Sequence, residues 1–170
     1  MLLAEALAAK KDALKEVEDL RERLAAAAVR YEDQEASEDP ADLVAKLDDA
    51  LDRMESLTVR INKTNNETRL GFDGRDLSIM EAVALRDRLT MEARIRRGVV
   101  DAIDEGVEAR PGRQPQYYAA APARRSKDDI RKVVAIDYKA ARAAADDVSE
   151  RVRRLDIALQ QQNWTVELLD

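Results

Sequence analysis

Asn62, Asn65 and Asn66 stand at i, i+3 and i+4, so a helix carrying them presents three carboxamides on one face. Each carboxamide offers donors and an acceptor together. A cluster of them can hold a small polar ligand or close the free carbonyls at a helix end. Gln160 and Asn163 form a second such group beside Trp164, the single tryptophan of the chain. Trp164 taken alone reads as an apolar plug for a bundle end. In an up-down-up-down arrangement of four helices, the ends of the second and fourth share one pole with the starts of the first and third. That arrangement adds Glu5, Arg86 and Asp87. The expected ligand-binding group is therefore Glu5, Asn62, Asn65, Arg86, Asp87, Asn163 and Trp164, against the plainer reading of Arg86 and Asp87 as helix-surface ion pairs.

A second set of residues lies in 109–125, which holds three of the four prolines and no acid. Arg110, Arg113, Arg124 and Arg125 accompany Tyr117 and Tyr118 there, the ingredients of a phosphate or nucleic-acid contact. A net charge of −6 opposes general attraction to a polyanion. The stretch is thus expected to be an interface arm reaching a second copy, with nucleic acid the lesser reading. Its 17 residues are long for a helix connection.

Catalytic chemistry has little to stand on. There is no histidine and no cysteine, which removes histidine bases, thiolates, disulfides and the Glu-x-x-His pairs of di-iron bundles. Acids are plentiful but no spacing singles out a pair. The expectation is a non-enzymatic protein with no catalytic residue, no metal and no cofactor. Asn62-Lys63-Thr64, Asn66-Glu67-Thr68 and Asn163-Trp164-Thr165 match the glycosylation pattern, but without a secretion signal they are chance matches.

The elements that must position these residues are helices. In the stretch Ser126–Asp170, Val134, Tyr138, Ala141, Ala145, Val148, Val152, Leu155 and Leu159 recur at steps of four and three, a heptad seam that other helices must cover. Helix 1 is expected from Leu2 to Asp33, on Leu3, Leu7, Leu14, Val17, Leu24, Ala28 and Tyr31. Asp39 caps helix 2, with Pro40 at its first position, and Leu43, Leu47, Ala50, Met54, Leu57 and Ile61 form its stripe. Leu70–Asp76, with Gly71 and Gly74, reads as a turn. Ser78 and Glu81 make a capping box for helix 3, carried by Ile79, Val83, Leu85, Leu89, Ile95, Val99 and Ile103. Gly98 within it predicts tight packing or local mobility. Ser126, with Asp129, caps helix 4. The fold class expected is all-α: one domain over 1–170, an antiparallel bundle of four long helices with coiled-coil-like packing.

Hydrophobic residues make up 45% of the chain but aromatics only 4%. Much of the apolar content is alanine, which buries little area. A core so thin predicts association of copies, so the expected partner is a second copy of the chain. No apolar run is long enough to span a membrane. Met1–Leu14 mixes charges with apolar positions unlike a signal peptide, which makes the cytoplasm the expected location.

Leu3-Ala4-Glu5-Ala6-Leu7, Arg60-Ile61-Asn62-Lys63-Thr64-Asn65, Leu77 through Arg86-Asp87, and Leu155-Asp156 through Gln160, Asn163 and Trp164 together resemble a family of small bacterial helical proteins labelled septicolysin-like. The resemblance spans nearly the whole chain and departs from the family pattern in 109–125. It implies a helical fold without known enzymology, and the label implies a membrane-active cytolysin. Three functions follow as expectations: a self-assembling structural or protein-interaction module, a cytolysin, and a small-ligand site at the Asn/Trp end.

Overall fold

A computed structural model of the chain describes residues 1–29, 38–108 and 134–170, with 106–108 described in backbone only. The arm residues Arg110, Arg113, Tyr117, Tyr118, Arg124 and Arg125 lie outside them. The elements in order are α1 (Leu3–Ala27), α2 (Pro40–Glu67), β1 (Arg69–Phe72), β2 (Arg75–Ser78), α3 (Ile79–Glu108) and α4 (Tyr138–Thr165). The chain divides into two compact units, Met1–Ala84 with Leu155–Asp170, and Leu85–Arg154.

In the first unit α1 and α2 pack against each other. Leu20, Leu43 and Ala50 are buried together, with Val17, Leu24, Ala27 and Leu47 packed against them. Glu16 pairs with Arg53 at 2.8 Å and Arg23 with Glu38, which fixes the two helices as antiparallel. Along the α2 stripe Leu43, Ala50 and Ile61 are buried and Leu47, Met54 and Leu57 half-buried. Asp39 caps the helix by accepting from the Ala41 amide at 2.9 Å, with Pro40 behind it. On α1 the row differs from expectation: Leu3, Ala6, Ala13 and Leu20 are buried, while Leu7 and Leu14 stand on the exposed flank. Small side chains at Ala6 and Ala13 let a neighbouring backbone approach closely, which a leucine row would prevent.

The all-α expectation needs one correction. Arg69–Phe72 and Arg75–Ser78 form an antiparallel hairpin pairing Leu70 with Leu77 and Phe72 with Arg75. Asp73 and Gly74 make its two-residue turn with φ of 49° and 73°, the geometry that Asp-Gly adopts because both positions need positive φ. Alternation buries Leu70, Phe72 and Leu77 on one side. Gly74→Ala is expected to cost about 1 kcal/mol through the positive φ. Thermal unfolding would read the loss.

Ser78 and Glu81 cap α3 reciprocally: the Glu81 amide donates to Ser78 Oγ at 3.1 Å, and the Ser78 amide to Glu81 Oε2 at 2.7 Å. The Ser78 bonds hold the Glu81 carboxyl below its ordinary range, with Arg69 assisting. A lowered carboxyl pKa adds stability above the unfolded pKa and loses it as pH falls through the folded one. Acid titration of the melting temperature is expected to be shallower in Glu81→Gln than in the wild type.

In the second unit α3 contributes Leu85, Leu89 and Val100 to the interior and α4 contributes Ala145 and Val148. Arg97 reaches Asp146 across the two helices at 3.4 Å. Along the α4 seam Ala145, Val148, Leu155 and Leu159 are buried, Tyr138, Ala141 and Val152 are half-buried and Val134 is exposed. The expected cap of Ser126 with Asp129 lies outside the described residues, and α4 starts at Tyr138. Asp137 caps it, accepting the Ala140 amide at 3.1 Å, and Val134 and Ile136 precede it outside any helix. Gly98 is exposed and a Cβ there would meet nothing within 4 Å among the described residues, so tight packing does not explain it. Gly98→Ala is expected to stabilise the helix by about 0.5–1 kcal/mol, read as a rise in melting temperature.

Candidate functional site

The first unit closes around a tail. After α4, residues 166–170 run extended between the chain's start and the last turns of α2. Leu3 donates its amide to Val166 O at 2.9 Å, and Leu168 donates to Met1 O at 2.8 Å. Leu2, whose side chain cannot cap, stands at the N-cap of α1, and the tail carbonyl satisfies the free amide of Leu3 instead. Arg60 Nε donates to Leu169 O at 3.1 Å, Arg60 Nη2 to Asp170 Oδ1 at 2.6 Å, and Lys63 Nζ to Asp170 O at 2.6 Å. Thr64, fully buried, donates its hydroxyl to Arg60 O at 2.8 Å and accepts the Leu169 amide at 3.0 Å. These bonds bring the start of α1 and the ends of α2 and α4 to one pole of this unit.

The predicted binding residues are distributed about that pole unevenly. Glu5 accepts the Leu2 amide at 2.8 Å and so belongs to the helix start. Asn62 is exposed, Asn65 and Asn163 are half-buried, and no hydrogen bond among the described residues uses their side chains. Trp164 is 66% exposed and plugs nothing, whereas Leu168 of the tail is buried. Arg86 and Asp87 lie in the second unit and bond to each other, Arg86 Nη2 to Asp87 Oδ1 at 2.8 Å. They form a surface ion pair between neighbours in sequence.

A concave surface lies elsewhere, in the second unit. Met91, Ile95 and Val99 of α3 face Ile136, Ala140 and Ala144 across a groove of about 710 Å³. Met91 and Ile95 are 58% and 60% exposed. Helix geometry explains why: at about 100° per residue, Val100 lies about 20° from Leu89 around the axis and Ile95 about 120° from it. Placing Ile95 and Val99 on the buried row, as the four-residue spacing invited, is therefore corrected. On the groove's edge Glu92 accepts from Arg88 Nη1 at 2.9 Å and from Arg96 Nη2 at 2.7 Å. The Arg96 bonds, more than Arg88, hold the Glu92 carboxyl below its ordinary range. No cluster of metal-binding side chains and no orphaned buried polar side-chain atom occurs among the described residues. No helix among them is long and apolar enough to cross a membrane.

The groove's signal was present in the sequence as a Met91-Ile95-Val99 row offset from Leu85 and Leu89. The tail clamp carried no such signal, since Arg60, Lys63 and Thr64 become a binding surface only once residues 166–170 return to them.

The described residues form a helical protein with a small hairpin, an apolar groove and a self-clasping tail. Over residues 10–168 it matches the model of DUF6847, a family of unknown function, and the chain belongs to that family. It is similar to a functionally unknown conserved protein from Corynebacterium diphtheriae, with 25% identity, coverage of 99% of each chain and a TM-score of 0.72. No curated protein matches. These findings overturn the septicolysin-like resemblance, because both the family model and the solved relative lie outside it. Its motifs were short blocks of residues that many amphipathic helices share, which is why they misled; the cytolytic activity falls with the label.

Proposed function

We propose that this protein is a non-enzymatic helical module that works by docking, and that its partner in the first instance is a second copy of the chain. The observation carrying this is the groove of the second unit. A continuous apolar row on α3 stands in water opposite a row of alanines on α4, and small side chains allow a partner helix to sit close. The heptad spacing of buried positions on α2 and α4 supports an antiparallel bundle with coiled-coil-like packing as the scaffold. Light scattering coupled to gel filtration tests the reading: the chain is expected to run as a dimer that dissociates on dilution. A mass equal to one chain at every concentration would overturn it.

A second reading rests on the exposure of Trp164 near Asn163 in the first unit. A small polar ligand held by Asn62, Asn65 and Asn163, with Glu5 at the same pole, would change the emission of the single tryptophan. Screening polar metabolites by Trp164 fluorescence tests it, and Asn163→Ala is expected to abolish any response. A response that Asn163→Ala leaves intact would place the ligand elsewhere.

A further inference from the structure

The tail clamp of the first unit is built like a peptide-recognition site. Six hydrogen bonds tie residues 166–170 to Met1, Leu3, Arg60, Lys63 and Thr64. Five of them end on the main chain of the tail, and only that of Arg60 Nη2 to Asp170 Oδ1 ends on a side chain. The Leu3 amide and Met1 O flank an antiparallel bridge between Leu2 and Glu167. An extended segment adds to a free strand edge in this pattern. The α2 side of the site does not depend on the tail for its place. Thr64 is fully buried, its hydroxyl anchored on Arg60 O within the helix, and that same oxygen accepts the Leu169 amide.

The side chains of the tail divide by depth. Leu168 is buried, Val166 and Leu169 are half-buried, and Glu167 stands in water. Asp170 meets Arg60 with its carboxylate and Lys63 with its main-chain oxygen. Main-chain bonds give affinity for any extended segment, and the pockets for alternate side chains give selectivity. Here the selection is for leucine and, two residues on, for an acid facing two cations.

We propose that this site also takes an extended acidic segment of another protein, of pattern apolar-any-Leu-apolar-acid, and that the chain's own tail is its intramolecular competitor. A guest segment supplies the acceptor that the Leu3 amide needs at the start of α1, so it replaces the tail bond for bond. The tail closes the site until such a segment outcompetes it. This site lies in the first unit, apart from the groove, and stands or falls separately from the reading of the groove.

The probe is the peptide Val-Glu-Leu-Leu-Asp, titrated into the full chain with backbone amide resonances as the readout. In the wild type it competes with a tethered tail of about millimolar effective concentration, so half-saturation is expected at about that level. As the peptide binds, the Leu168 and Leu169 amides of the chain are expected to move to the positions of a free segment. Asp170→Lys changes an exposed side chain and sets a like charge against Arg60. In that chain the tail is weaker, and half-saturation is expected at a concentration about threefold to tenfold lower. A peptide carrying Leu168→Asp is expected to bind at least about tenfold more weakly than the parent. One carrying Glu167→Lys should match the parent, because that side chain faces water. Failure to displace the tail of either chain at about ten times the millimolar level overturns the proposal. Binding that ignores Leu168→Asp, or that leaves the Leu168 and Leu169 resonances in place, overturns it as well. The wild-type titration decides alone if Asp170→Lys does not fold.

Discussion

Deleting Val166–Asp170 is expected to cost the first unit on the order of 5 kcal/mol, a large part of the roughly 5–15 kcal/mol that holds a domain folded. The deletion removes a buried leucine, Leu168, worth about 1.5–3 kcal/mol by transfer from water. It also strips the partners from Leu3, Arg60, Lys63 and Thr64, at a net of about 0.5–1.5 kcal/mol for each hydrogen bond lost. Urea unfolding followed by circular dichroism should show a lower midpoint, with the first turn of α1 frayed. A midpoint unchanged from the wild type would mean that the tail rests on the surface without supporting it. Thr64→Val isolates one of these hydrogen bonds. The substitution keeps the volume but leaves the Leu169 amide without an acceptor beside a fully buried position, costing about 1–3 kcal/mol. Thr64→Ser, which keeps the hydroxyl, should lose about 1 kcal/mol for the missing methyl.

Ile95→Glu is expected to shift the protein from dimer to monomer while leaving its helical signal in place. Its side chain is largely exposed within one copy, so the carboxylate costs the isolated fold little. In a docked pair the carboxylate would be taken out of water into the apolar row between Met91 and Val99. Burying even one such charge unpaired costs several kcal/mol, which corresponds to a loss of three or more powers of ten in affinity. Gel filtration with light scattering reads the outcome directly. Persistence of the dimer would put the association on some other surface.

How much of this was legible beforehand depends on the range of the interaction. Asp39-Pro40 and Ser78 with Glu81 signalled helix starts because capping acts within three residues, and the bonds are found as expected. The heptad rows of α2 and α4 were likewise readable, since burial on one helix face follows from spacing alone. The hairpin was legible but overlooked: Asp73-Gly74 between Arg69-Leu70-Gly71-Phe72 and Arg75-Asp76-Leu77-Ser78 is a hairpin signal at two-residue loop length. On α3 the four-residue repeat of Ile95 and Val99 suggested a buried row, but the six-residue step from Leu89 to Ile95 turns that repeat about 120° off the face set by Leu85 and Leu89.

By itself the sequence determined the helical class, the caps and the exclusion of histidine and cysteine chemistry, since each depends on residue identity or short spacing. Tertiary structure alone decided that residues 166–170 return to Arg60, Lys63 and Thr64 and that Trp164 faces water. It also decided that α1 buries Ala6 and Ala13 in place of Leu7 and Leu14. Those outcomes depend on which surfaces meet across more than a hundred residues of chain, where a buried threonine and an exposed one are written with the same letter.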